Sequence, residues 1–280
     1  MSMEIIHTMP LLLFDTEGNF NMMKECFESL GKSSENTVVL YNQGYMENEV
    51  LRNKLINYGI SPIILGEGQN IGIAQARQLC FSYIWEHYPD VHYISEIHLD
   101  MIFPKEWYTP LIEYLNDSDE PIISPGIMTS YGELQPIGRR VPFPLTVPDL
   151  LSFLEELPEE RIVEGFVHPV IHKAHVLKEI GGYDTRFFKG KQGYEDDSIL
   201  LGYLYYMGTR TKWRPKCYLK SWVYHATMAQ RMMLPDTHIE FVENEKGLFS
   251  QYGGYGLKHL AAIHHNPAFI ELLEHFLKNE

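Results

Sequence analysis

The sequence predicts a three-layer α/β fold with a mostly parallel central sheet. Short apolar runs alternate with amphipathic helical patterns through the first 115 or so residues, in a β-α-β-α-β-α-β order. Gly31 and Gly59 close the first two helical patterns, and Pro- or Gly-containing turns separate the rest. No run of ~18 apolar residues occurs, so no membrane-spanning helix is expected.

The elements follow in order. "EIIHTMPLLLF" reads as a strand, "NMMKECFESL" as a helix, "TVVLY" as a strand and "MENEVLRNKLINY" as a helix. "ISPIIL" is a third strand, "IGIAQARQLCFSYIWEHY" a long helix and "VHYISEIHLD" a fourth strand. From Pro121 the texture changes, and "ISPGIMTSYGELQPIGRRVPFPLTVP" reads as an irregular excursion. Regular structure resumes with helix "DLLSFLEEL", strand "GFVHPVIH" and helix "AHVLKEI", which Gly181-Gly182 ends. "GYEDDSILLGYLYYMG" places Glu195, Asp196 and Asp197 in the first turn of a buried helix, "TRTKWRPKCYLKSWVYHA" is strand-like, and two helices close the chain. Residues 1–225 are expected to form one domain, in two halves at about 1–120 and about 121–225. Residues 226–280 are expected to pack on it as a helical extension.

Composition narrows the function. With 45% hydrophobic and 21% charged residues the chain is globular in character. A net charge of −14 argues against nucleic acid or an anionic membrane surface as partner. An anionic ligand would need a metal or a local basic patch. Three widely spaced cysteines form no CxxC pair, and the N-terminus carries no secretory signal, so a reducing, cytoplasmic setting is expected.

Three stretches carry possible chemistry. "LGEGQNIG" follows a strand and opens a helix, but Gly66, Gly68 and Gly72 have G-x-G-x-x-x-G spacing after the third strand, which argues against a hydride-transfer fingerprint. Backbone N–H groups at that helix start remain able to meet a phosphate or ribose. In "SEIHLDMIFPKEW", a strand would put Glu96, His98 and Asp100 on one face, with Asp100 at its carboxyl end. Such ligands suit Mn²⁺ or Mg²⁺, and a solvated strand end is the alternative. Acids at a helix start also cap the dipole, although three adjacent ones repel each other. HExxH, G-x-S-x-G and P-loop patterns are absent.

Taken in order, these pieces resemble the GT-A glycosyltransferases of the large family-2 type. The N-x-G-x-x-x-A-R segment stands as Asn70, Gly72, Ala76 and Arg77. The D-x-D strand end stands as His98-Leu99-Asp100, with Pro104 and Trp107 following. The second half has "EGFVHPVIHKAHVLKEIGGYD", the turn "FFKG", Glu195-Asp196 and a late His225 after an apolar strand. "FKGKQGYEDD" also looks like the galactosyltransferase-type motif ending in E-D-D.

The resemblance implies a nucleotide-sugar donor, a UDP-sugar first, and direct displacement with inversion onto a hydroxyl acceptor, as in polysaccharide or glycoconjugate biosynthesis. It implies Asp196 as base and Glu195 on sugar hydroxyls, with Asp197 behind them or serving as a cap. Asp100 and His225 would hold Mn²⁺ or Mg²⁺, with His98 a third ligand. Asn70, Gly72, Arg77 and Asp100 would face the nucleotide, as would Asn42, which with Tyr41 stands where the family has a base-contacting Asp. A catalytically inactive glycan or nucleotide-sugar binder and a nucleotidyltransferase are the rivals.

Overall fold

The computed structural model describes residues 4–144, 146–209, 212–227 and 237–278. Strands β1 (Ile5–Leu11), β2 (Thr37–Asn42), β3 (Ser61–Leu65) and β4 (Tyr93–Glu96) alternate with helices α1 (Glu17–Leu30), α2 (Asn48–Asn57) and α3 (Ile73–His87). They pair in parallel in the order β3-β2-β1-β4. The central sheet continues through β10 (Val170–Lys173), β6 (Ile122–Met128), β11 (Lys216–His225) and β5 (Met101–Ile102). Within this path β6 and β11 are again parallel, whereas β10 runs antiparallel to both neighbours. This is the expected mixed α/β architecture.

Alternation along β1 shows how the layers form. Ile5, Met9 and Leu11 enter a core with Phe27 and Leu30 of α1 and with Leu111, Ile112 and Leu115 of α4 (Thr109–Asn116). Ile6 enters the opposite core, with Phe81 and Ile84 of α3 and Leu200, Leu201 and Leu204 of α7 (Glu195–Met207). Both faces are covered, so β1 and β2 read as near-continuous apolar runs.

The region after Pro121 departs from the irregular expectation. Its first residues form β6, buried along its whole length and paired with β11, and two short strands follow, β7 (Glu133–Gln135) and β8 (Arg139–Arg140). Pro125 lacks a ladder donor, and a register shift in β11 between Tyr218 and Trp222 accommodates it. Gly126 is required there, since a Cβ would lie 2.6 Å from the Trp222 ring. Helix α4 is also one the sequence reading passed over.

Helices α5 (Val147–Glu156) and α6 (Ala174–Ile180) form where expected, and strand β9 (Ile162–Glu164) pairs with β11. The tail forms α8 (Thr237–His264), broken by a non-helical Gly253, and α9 (Ala268–Lys278). Leu248, Leu257 and Leu260 of α8 and Phe269 and Leu273 of α9 join the core that holds α7. Among the described residues no helix is long and apolar enough to cross a membrane.

Candidate active site

The sequence reading carried its fourth strand through Asp100, but β4 ends at Glu96. Ile97 keeps one more ladder bond, to the Thr8 carbonyl, and the chain then turns at Leu99 and Asp100 before β5. The consequence is a division of labour. Glu96 stays in the interior, while His98 and Asp100 line a cleft beyond the strand ends, where open α/β sheets bind ligands.

That cleft has a volume of about 240 Å³, and its walls include Gln43, Asn70, His98, Asp100, His168, Lys191, Asp196 and His225. One ligand atom from each of His98, Asp100 and His225 lies within 4.8 Å of the others. His225 Nε2 is 3.4 Å from Asp100 Oδ1 and 3.5 Å from His98 Nδ1. His225 Nδ1 lies 3.1 Å from the His168 carbonyl, an acceptor only, so this nitrogen carries the proton. Its Nε2 lone pair then points toward the Asp100 carboxylate. Two acceptors facing each other suit a cation between them, and a carbonyl bond fixing the far nitrogen is how metal-binding histidines are oriented. Burial, then the nearby positive charge of His168 and Arg77, holds His98 well below its usual pKa and so neutral, as a ligand must be. The three residues therefore fit a divalent cation.

The three carboxylates of α7 diverge. Tyr194, at φ 62°, turns the chain into the helix. Asp196, with a side chain 41% exposed, faces the cleft 3.7 Å from His168 Nε2. Glu195 is buried. Asp197 turns to α8 and lies 2.7 Å from His264 Nε2. Burial raises the Asp197 pKa, with His264 working against that rise.

Two expected nucleotide contacts lie elsewhere. Arg77 is 1% exposed, and its Nε is 2.5 Å from Glu96 Oε2, while Nη1 and Nη2 donate to the carbonyls of Thr8 and Ile97. Its three nitrogens are spent inside the protein, so it does not face the cleft. Burial opposes the charge on Glu96, but Arg77 foremost holds its carboxyl well below the usual range. His172 Nε2 at 2.9 Å and the Tyr183 hydroxyl at 2.8 Å complete this buried group. Asn42 is likewise buried; it donates to the Met46 carbonyl and Asn48 and accepts from Gly44. The next residue, Gln43, reaches the cleft wall instead.

The α3 start is also occupied. Gln43 Oε1 accepts from the backbone N–H groups of Ile71 and Gly72, and the Ile73 N–H donates to the Lys191 carbonyl. Gly72, at φ 89°, is needed because a Cβ would meet Lys191 Cα at 2.7 Å. Gly72 therefore docks the Gly190–Gly193 loop against α3, and Asn70 beside it lines the cleft. Sequence reasoning missed His168, Gln43 and Lys191. A histidine before a proline and an isolated lysine carry no spacing signal, although Lys191 sits within the "FKGKQGYEDD" motif already singled out.

No family model matches the chain, and no curated protein matches it in sequence. Solved structures do match in fold. TarS from S. aureus superposes with a TM-score of 0.56 at 13% identity, over 95% of this chain and 43% of that one. TarS residues 1–349 in complex with UDP-GlcNAc gives 0.55 at 12%, over 98% of this chain and 72% of that one. GalNAc-T7 with UDP, GalNAc and Mn²⁺ gives 0.54 at 12%, over 80% and 44%. The chain thus has the GT-A fold of these glycosyltransferases, and it spans less than half the length of full TarS.

Proposed function

We propose that this chain is a glycosyltransferase that moves a sugar from a nucleotide-sugar donor, a UDP-sugar first, to a hydroxyl acceptor with inversion. One observation carries the reading: a GT-A sheet brings Asp100, His225 and His98 together in a cleft that Asp196 also lines. The UDP-GlcNAc complex of TarS and the UDP and Mn²⁺ complex of GalNAc-T7 support the donor class and the metal.

The donor would lie in the 240 Å³ cleft against Asn70 and Gln43. Asp100, His225 and His98 would hold Mn²⁺ or Mg²⁺, which supplies positive charge to the leaving diphosphate. Lys191, which also lines the cleft, would add the same sign of charge. In the reaction the acceptor oxygen forms a bond to the anomeric carbon as the bond from that carbon to the diphosphate oxygen breaks. The acceptor proton passes to the Asp196 carboxylate, which needs only modest basicity because the proton is lost as the bond forms. Charge developing on the sugar resembles that in glycoside hydrolysis.

Incubation of the protein with UDP-, GDP- and dTDP-sugars, Mn²⁺ and a mixture of simple sugar acceptors tests the reading. A glycosyltransferase releases the nucleoside diphosphate from at least one donor. Release of pyrophosphate in a parallel incubation with sugar phosphates and nucleoside triphosphates would instead mark a nucleotidyltransferase, and donor binding with no release in either would mark an inactive binder.

A further inference from the structure

A second cavity, of about 580 Å³, opens at the α7 start. Its walls are Gly193, Tyr194 and the three α7 carboxylates, together with residues of α8 and α9 that include Phe241, Glu245, Phe269 and Glu271. Among the described residues the two cavities share one lining residue, Asp196. A group that must take a proton from an acceptor while the donor lies on its other side belongs at such a boundary.

We propose that this second cavity receives the acceptor, and that it favours a sugar hydroxyl with neutral or positively charged surroundings over a phosphorylated or carboxylated one. The proposal rests on the glycosyltransferase reading and adds to it the acceptor's place and charge. The cavity carries the site. Rings of Tyr194, Phe241 and Phe269, with centroids 6.0 and 6.5 Å from Tyr194, give it an aromatic side against which the C–H face of a sugar can rest.

Charge sets the selectivity. Among the described residues five carboxylates line the cavity, from Glu195, Asp196, Asp197, Glu245 and Glu271, with His275 beside them and no lysine or arginine. Glu245 accepts from the Tyr194 hydroxyl at 2.6 Å and Asp197 faces His264, so these groups are held in place and keep a negative field over the opening. Lys191, by contrast, lines the donor cleft. The two sides of Asp196 thus differ in sign, with a cation site and a lysine toward the donor and carboxylates toward the acceptor. A phosphate on the acceptor would meet repulsion from several groups at once.

Saturation-transfer NMR on the full chain, with methyl glucoside, glucosamine and glucose 6-phosphate as probes, tests this. Methyl glucoside and glucosamine should receive saturation, with glucosamine binding roughly tenfold more tightly than glucose 6-phosphate. Phe269→Ala should weaken all three, and Glu271→Lys on the exposed face of α9 should raise the glucose 6-phosphate signal without changing UDP affinity. Thermal melts would verify that both variants are folded. Equal binding of glucosamine and glucose 6-phosphate overturns the charge rule, and binding insensitive to both substitutions, or saturation of no probe, overturns the acceptor assignment. Failure of glycosyl transfer itself reads separately, as absence of nucleoside diphosphate release from every donor.

Discussion

Arg77 Nε lies 2.5 Å from Glu96 Oε2, with both side chains sealed from solvent by the sheet and α3. This pair stands directly behind the cleft, since Glu96 ends β4 and the next residues, Ile97 and His98, begin the turn to Asp100. Removing one partner of such a pair strands a charge in the interior. Arg77→Ala should therefore destabilise the fold by about 3–5 kcal/mol in urea titrations. UDP affinity of the remaining folded protein should stay near that of the parent. Loss of UDP affinity without loss of stability would return Arg77 to the nucleotide.

Asp196 and its neighbours separate by where they face. Asp196→Asn keeps size and removes the charge, and turnover should fall roughly 10²–10⁴-fold in a nucleoside-diphosphate release assay. Donor affinity should change little. Asp197→Asn weakens the contact with His264 but also removes a charge that burial disfavours, so stability should change by no more than about 1 kcal/mol with turnover largely kept. Normal turnover in Asp196→Asn together with a dead Asp197→Asn or Glu195→Gln would assign the base to another carboxylate.

His7 gives a pH prediction. It is buried in β1, with Nδ1 2.6 Å from Ser95 Oγ and Nε2 donating to the Glu35 carbonyl at 3.1 Å. Burial lowers its pKa to about 4, against 6.5 in the unfolded chain. Below pH 6.5 the unfolded chain takes up a proton that the folded one refuses, so stability is present above that pH and falls as pH drops toward 4. Between pH 7 and pH 5 this group should account for about 2 kcal/mol of lost stability. Urea midpoints at the two pH values, compared with those of His7→Phe, measure it; an equal pH slope in the variant would contradict the assignment.

How much of this was legible in the sequence depends on the kind of signal. Strand and helix order came from periodicity, and α7 and α6 begin and end where their apolar spacing and glycines put them. His98, Asp100, His225 and Asp196 were singled out from motif order, and the structure brings the four to one cleft although β4 ends two residues before His98. β6 was not legible, because Pro125 and Gly126 signal a break that only a shift in the partner strand can absorb. Arg77 was misassigned for a related reason. On a helix its spacing from Asn70 says which side it faces, whereas the depth at which it meets Glu96 depends on β4 ending early. Gln43 and His168 depend on loop paths, which leave no periodic trace.

In the proposed reaction Asp100 and His225, with His98, let this acidic protein hold a diphosphate through a divalent cation. Calorimetric titration of UDP into the protein with Mn²⁺ and again with EDTA, for the parent and for Asp100→Ala, tests it most directly. The parent should bind UDP at least roughly tenfold more tightly with Mn²⁺. Asp100→Ala should lose that difference and His98→Ala only part of it, since an imidazole brings no net charge to the cation. Equal UDP affinity in Mn²⁺ and in EDTA for the parent protein would contradict the account.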